Sequence, residues 1–424
     1  MRIWVVRASE PMPFQPGVRL WRCGELSQRL ADAGHDVTWW QSTFDHVNKV
    51  HLFDGPKTIK VQPGYTIRLL HGPAYKRNVS ISRLINYGVL GRRFAEAIET
   101  MEPPEVILAS MPTMEMALVA VRYGKKHGIP VVVDIRDLWP DIFINPLPGV
   151  VRPFARLPLM AYYKMAKDIM KDATAITGVS QEYVDWGLLY AGRKAGPLDR
   201  PVYLGYRRRH LKPDALAAEQ QTFLDMGVDP SKTICCFFGM FGFSYDLAVV
   251  VRAARILQQQ GDDRYQFVLC GDGDRAAEWK DGTEDLRNII WPGWVSVDAV
   301  TALMEMSSIG LTTYRKVAKQ SLPNKPFEYF SKNLPLLSCL EGELRQIIEE
   351  EKVGAHYIAE DEQSFLEALQ TIPTGGSELE AMRRHIEELF ETRYSADAVY
   401  TEFIAYLDTL AKGIVPQADT GAEI

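Results

Sequence analysis

The segment Gln320-Ser-Leu-Pro-Asn-Lys-Pro-Phe-Glu-Tyr-Phe330 has the residue types that hold a phosphate and a ribose at the start of a helix. Pro323 and Pro326 suit a first helical turn, where a missing amide hydrogen costs little, and the free N–H groups of that turn attract an anion. Lys325 sets a full positive charge beside them. Glu328 offers a carboxylate to the paired hydroxyls of a ribose. The same letters also spell an ordinary capped surface helix with a solvated Lys and Glu, so the surrounding pattern decides between the readings.

Further glycine turns precede this segment. Gly239 and Gly242 lie in Gly239-Met-Phe-Gly-Phe-Ser244, and Gly271-Asp272-Gly273-Asp274 follows the next apolar run. Such glycines let a backbone approach a phosphate closely, or mark no more than a tight strand-to-helix turn. Trp294 and Val295 offer an aromatic wall and backbone groups to a nucleobase, although a tryptophan is as readily core. In the first half, Asp134-Ile-Arg-Asp-Leu-Trp-Pro-Asp141 brings Arg136 and Asp137 to the end of an apolar run. Asp137 there suits a base that orients or deprotonates a hydroxyl, or else pairs with Arg136 to tie down a loop. His35, His46 and His127 lack metal-ligand spacing, and no Gly-x-Ser-x-Gly elbow or Walker-type loop occurs.

The elements that position these residues alternate between short β-branched runs and helical patterns, which predicts parallel sheets covered by helices. In the first half, strands are expected at Ile3–Arg7, His35–Trp40, Val106–Ser110, Pro130–Asp134 and Ala173–Gly178, with helices over Arg19–Ala33 and Thr113–His127. The 207–232 stretch reads as a linker passing into a helix. A second sheet is expected from Ile234–Phe238, Tyr265–Cys270, Ile289–Trp291, Ile309–Thr313, Leu336–Cys339 and Gly354–Ile358. Helices are predicted over Asp246–Gln260, Ser377–Phe390 and Ala396–Ala411, and a mobile tail over Gln417–Ile424. Every glycine-rich or polar turn then falls at the carboxyl end of a strand, where ligands bind in open parallel sheets.

The 424 residues, 46% apolar and 24% charged, are enough for two domains. The net charge of −6 hides an asymmetry: residues 1–200 hold 26 basic and 19 acidic side chains, and 201–424 hold 22 and 35. A basic first half points to an anionic partner such as a phosphorylated acceptor or a lipid surface, or to scattered solvated charge. Five cysteines without CxxC spacing suit buried free thiols in a reducing compartment. No signal peptide or apolar run of membrane-spanning length is present, so a cytoplasmic protein is expected, at most resting on the inner membrane surface. The basic, apolar stretch Val150–Lys171 is the candidate contact, or a core helix with a basic outer face. No nucleic-acid partner is expected.

Together these motifs resemble the retaining glycosyltransferases of family 4, of the GT-B fold, in the subgroup that assembles bacterial surface polysaccharides such as O-antigen and capsule. The features that carry it are the glycine loop at Gly239, Gly271-Asp-Gly273, Trp291–Val295, Ser321–Glu328 and Asn333-Leu-Pro335. In the first half they are Phe44-Asp-His46, Asn78, Arg83, Asn86 and Asp134–Asp141, similar to relatives that handle amino-sugar donors. The resemblance implies an α/β chain of two Rossmann-like domains with a cleft between them. Residues 1–203 would bind the acceptor, 204–395 the nucleotide-sugar donor, 396–412 would form a helix crossing back, and 413–424 a flexible tail.

The implied reaction moves a sugar, hexosyl or N-acetylhexosaminyl, from a nucleotide diphosphate such as UDP to a lipid-linked or saccharide acceptor, with no cofactor and no metal. Catalytic roles are implied for Asp137, Lys325 and Glu328. Donor contacts are implied for Gly239, Gly242, Gly271, Asp272, Trp294, Val295, Gln320, Leu322, Asn324, Lys325 and Glu328, and acceptor contacts for Gln15, Gly17, Arg136 and Trp139. Two departures stand out. Gln320 replaces a glutamate of many relatives, and the 239–246 loop lacks their Arg and Lys, so Lys325, Arg315, Lys316, Lys319 or Arg275 must supply the charge. A nucleotide-sugar epimerase on the same fold and an inactive binding subunit remain as alternatives.

Overall fold

The apolar runs of the chain form strands buried on both faces, as parallel sheets require when helices cover them. The computed structural model describes residues 1–15, 18–78, 80–145, 147–318 and 322–414. The chain divides into Met1–Leu204 with Val399–Ile424, and Gly205–Ala398. The expected tail from Gln417 lies outside the described residues.

The first unit contains β1 (Arg2–Val6), β2 (Asp36–Ser42), β3 (Phe44–Asp45), β4 (Val50–His51), β5 (Lys57–Gln62), β6 (Tyr65–Leu70), β7 (Val106–Met111), β8 (Val131–Ile135), β9 (Ala175–Gly178) and β10 (Arg200–Pro201). Eight of them form one sheet in the order β10-β9-β8-β7-β1-β2-β6-β5, parallel except for β5, while β3 and β4 make a small antiparallel ribbon. The order reverses between β1 and β7, which makes their carboxyl ends the ligand crevice of such a sheet. Trp4, Trp40, Phe94 and Ile107 lie in its core.

The second unit holds β11 (Thr233–Phe238), β12 (Tyr265–Cys270), β13 (Ile289–Gly293), β14 (Ile309–Thr312), β15 (Leu336–Ser338) and β16 (Gly354–His356). All pair in parallel, in the order β13-β12-β11-β14-β15-β16. This is the doubly wound arrangement, and its switch point lies between β11 and β14. Tyr329 spans that point, with its hydroxyl 3.1 Å from the carbonyls of both Cys236 on β11 and Leu311 on β14. All five cysteines are buried and free.

The expected strands form with small shifts at their ends. Helix one starts at Arg22 rather than Arg19, and the Arg22 side chain turns inward to the buried carboxylate of Asp134. The stretch read as a linker passing into a helix holds the helix Pro213–Asp225, with proline at its first position. The pair β5–β6 and the helix Ile81–Ile98 are additional elements. Helix Ala396–Ala411 forms over the predicted residues, and the chain from Val399 onward belongs with the first unit.

Gly310 on β14 faces the ring of Tyr329, and a Cβ there would lie within 2.5 Å of Cδ1. Gly310→Ala should therefore cost about 1–3 kcal/mol by overpacking. Gly242→Ala, with nothing within 4 Å of its Cβ position, should be near neutral. Urea unfolding of both variants checks the contrast, and equal losses would refute it.

Candidate functional site

In the second unit, three strand-end turns interlock through backbone contacts that only glycine permits. Gly239 donates its N–H to Cys270 O at 3.0 Å, Phe241 to Asp272 O at 2.8 Å, and Gly271 to Gly293 O at 2.7 Å. A Cβ on Gly271 would overlap the carbonyl of Gly239, and one on Gly273 would sit 2.8 Å from that of Phe241. Gly239, Gly271 and Gly273 all have positive φ, a conformation costly for other residues. Gly242 has neither constraint, so its backbone does not require glycine.

Lys325 reaches into this nest. It is the second residue of the helix Asn324–Phe330, whose N-cap is Pro323, and it is 8% exposed. Its ammonium donates to Phe238 O at 2.5 Å and lies about 5 Å from the rings of Phe237, Phe238 and Tyr245. A Cβ on Gly239 would lie 2.6 Å from Nζ. The solvated surface lysine of the bland reading is thus excluded. The cation is buried, and its partner is a neutral carbonyl.

The 239–246 loop has no cation of its own, yet cations reach it from two other strand ends. Arg275, after β12, donates to Tyr245 O at 2.9 Å while pairing with Glu278. Arg315, after β14, stacks 4.5 Å over Phe243, and its own N–H donates to Ser244 O at 3.0 Å. Lys316 is exposed, with its N–H on Glu360. Glu328 is half-buried, Asn324 exposed and Leu322 buried on or beside the same short helix. Asp272 is exposed and closes its turn by accepting from Gly273 N–H at 2.8 Å. Trp294 is 71% exposed, which rules out the core reading, while Val295 is half-buried. Lys319 and Gln320 lie outside the described residues.

In the first unit, the acids of the Asp134–Asp141 motif separate by partner. Asp134 is fully buried and takes two hydrogen bonds from Arg22, at 2.9 and 3.0 Å, and one from Thr177 at 3.0 Å. Burial opposes its charge, but Arg22, Arg136 and Thr177 hold its carboxyl below the usual range. Asp141 accepts from Tyr163, Trp186 and Tyr190, each at 2.8 Å. Asp137 has no such partner. Burial pushes its carboxyl up, against the pull of Arg7, Arg136 and Arg83.

The alternative reading of Asp137, a loop pair with Arg136, does not form among the described residues, because Arg136 pairs with the buried Glu10 at 2.5 Å. Glu10 also accepts from Cys23 N–H at 3.0 Å and faces Arg7 at 3.6 Å. Arg7 follows β1 and donates to Pro112 O beyond β7, so it bridges the switch point of this sheet. Trp139 is buried, and Arg83 lies 5.1 Å over its ring. Gln15 holds Asp45 at 3.0 Å beside a cavity of about 210 Å³ lined in part by Glu10, Trp21, Asp45 and His46. Gly17 lies outside the described residues. Among the described residues, no three His, Cys, Asp or Glu side chains group to hold a metal ion.

Sequence spacing gave no weight to Arg7 or Lys49, and assigned no role to His46 or Arg83. His46 bonds Tyr75 OH at 2.6 Å, and burial together with Arg83, Lys49 and Arg7 pushes its imidazole down to about 4. The sequence signs of this cluster are the basic excess of the first half and the resemblance carried by Phe44-Asp-His46, Asn78 and Arg83.

Because the folded value lies below the ordinary 6.5, the unfolded chain holds more protons between those two limits. His46 then favours folding fully above about pH 6.5, and this contribution is lost as pH falls toward 4. His46→Gln should flatten the rise of unfolding free energy with pH in that window. The slope difference should stay below about 1.4 kcal/mol per pH unit, the limit for one proton, reduced by screening of a half-exposed ring. Parallel slopes in urea titrations would contradict it.

Residues 232–373 match the family model described as "Glycosyl transferases group 1". No curated protein matches the sequence. Among solved structures, Anabaena Alr3699/HepE in complex with UDP aligns with a TM-score of 0.65 at 14% identity, over 96% of this chain and 100% of that one. Sucrose-phosphate synthase from Thermosynechococcus elongatus gives 0.63 at 14% identity, over 97% and 99%. WaaG, a glycosyltransferase involved in lipopolysaccharide biosynthesis, gives 0.61 at 11% identity, over 96% and 99%. At these identities the likeness concerns the fold, and the fold of this chain is GT-B.

Proposed function

We propose that the chain is a glycosyltransferase that binds a nucleotide-diphosphate sugar in its second unit and transfers the sugar to a lipid-linked or saccharide acceptor held by the first. The observation that carries this reading is Lys325, a buried cation seated against Gly239 at the switch point of the second sheet. As the bond between sugar and phosphate breaks, negative charge gathers on the leaving diphosphate, and preplaced donors stabilise it. Lys325, Arg315 and Arg275 supply that charge where the loop itself lacks it. Glu328 then holds the ribose, and Trp294 with Val295 borders the base. UDP is the favoured nucleotide, since HepE carries UDP and UDP-glucose.

In this reading Asp137 is the group that takes or orients the acceptor proton. Its carboxyl is free of competing partners, and burial raises its basicity. Transfer proceeds with retention and without a bound metal, in surface-polysaccharide assembly. The exposed row Val150, Phe154, Leu157 and Met160 leads into exposed Lys164, Lys167 and Lys171, and suits the headgroup layer of an anionic bilayer. Among the described residues, no helix is long and apolar enough to cross a membrane.

Thermal-shift titration with UDP, GDP, dTDP and ADP should show stabilisation by one of them, and Lys325→Ala and Glu328→Ala should each weaken it about 10- to 100-fold. Unchanged titrations in both variants would break the donor assignment. With a membrane lipid extract as acceptor source, Asp137→Asn should cut turnover about 10²- to 10⁴-fold while leaving nucleotide binding intact.

Vesicle sedimentation tests the surface row. Binding to anionic vesicles should fall with salt and on Phe154→Ser with Leu157→Ser, and salt-independent binding would argue against a headgroup contact.

A further inference from the structure

Two cations of the first unit converge on one asparagine, and neither makes an ion pair among the described residues. Arg83, in the first turn of the helix Ile81–Ile98, donates to Asn78 O at 2.6 Å and to Tyr87 OH at 2.7 and 2.9 Å. Its guanidinium lies 5.1 Å over the rings of both Tyr87 and Trp139. Lys49 donates to Asn78 Oδ1 at 2.5 Å and to His46 O, and sits 5.2 Å over Tyr75. Both side chains are half-buried, and every acceptor they use is neutral.

Of the nearby acids, Asp45, Glu10 and Glu115 are committed elsewhere. Asp45 accepts from Val47 N–H, Asn48 N–H, Asn48 Nδ2 and Gln15 Nε2. Glu10 is held by Arg136 and Arg7, and Glu115 accepts from Tyr162 OH at 2.7 Å while burial pushes its carboxyl up. Asp137 faces Arg83 without an ion pair. Burial and the charge of Arg83 push the Lys49 ammonium down against the pull of Asp45, and His46 beside it is neutral near pH 7. Partly desolvated like charges held this close are relieved by an anion. Tetrahedral oxygens match a guanidinium fork and an ammonium together.

We propose that Lys49, Arg83 and Asn78 form an anion subsite that takes a phosphate or diphosphate group of the acceptor. The inference deepens the acceptor half of the function proposed above and rests on it. A neutral saccharide would leave both cations without an ion pair. The acceptor is then either a prenyl diphosphate lipid or a sugar phosphate, which share this chemistry.

Calorimetric titration of the full chain, with UDP at saturation to fill the donor site, separates the two sources. Geranyl diphosphate and a hexose 6-phosphate are each compared with geraniol and the free hexose. One of the phosphates should bind at least tenfold more tightly than its uncharged counterpart, and Lys49→Gln and Arg83→Gln should each erase that advantage. Asn78→Asp, which places a carboxylate between the cations, should also abolish it without lowering the melting temperature. Phosphates that bind no better than their counterparts, or variants that bind them as the parent does, would overturn the subsite. Absence of UDP binding would sink the donor reading alone, because the Lys49 and Arg83 comparisons do not depend on it.

Discussion

The ammonium of Lys325 is buried at the carboxyl end of β11 with one carbonyl and three aromatic rings around it. A charge in such a place is disfavoured unless something balances it. The carbonyl and the ring faces compensate in part, and the glycine at 239 leaves room for the ammonium itself. The nest of Gly239, Gly271 and Gly273 has a matching logic, since each glycine allows one strand-end turn to lie directly on the next. Tyr329 pins the helix that carries Lys325 to both strands at the switch point. The charge, the glycine turn and the pinning residue form one device, and Arg275 and Arg315 approach the same loop.

The first unit solves a different problem with the same materials. A single short motif delivers three aspartates, and the fold gives them three electrostatic fates. Asp134 becomes the buried anchor for Arg22, and Asp141 gathers three neutral donors from the helices Met160–Asp172 and Gln181–Ala191. Asp137 is left half-buried, with no hydrogen bond to its carboxyl among the described residues. Glu10 makes this possible by taking Arg136 away from its sequence neighbour. A carboxyl kept from its nearest cation retains a raised proton affinity, which is what a base or an orienting group requires.

The parallel sheets were legible because buried strands write themselves as apolar runs, and Tyr265–Cys270 and Ala396–Ala411 form over the predicted residues. The antiparallel β5 was not, since its edge position leaves Lys57, Thr58 and Lys60 with little apolar signature. Lys325 was legible as a cation but not as a buried one, because burial depends on Phe238 and Tyr245 from remote segments. The Lys49–Arg83 pair was illegible for the same reason. The two residues are 34 positions apart, and only folding brings both to Asn78.

The missing Arg and Lys of the 239–246 loop illustrate how little a local motif constrains a site. A diphosphate responds to where positive charge lies, whichever segment carries it. In this chain the loop contributes backbone and aromatic surface, while Arg275, Arg315 and Lys325 approach it from three other segments. Phe243 carries Arg315 by stacking, and Tyr245 carries Arg275 by its carbonyl, so the loop still positions charges it does not possess. The interlocked glycines fix the turns against one another and thereby fix the distances between these cations. The loop alone shows no positive charge, whereas the fold brings three cations to it from pieces that the sequence keeps apart.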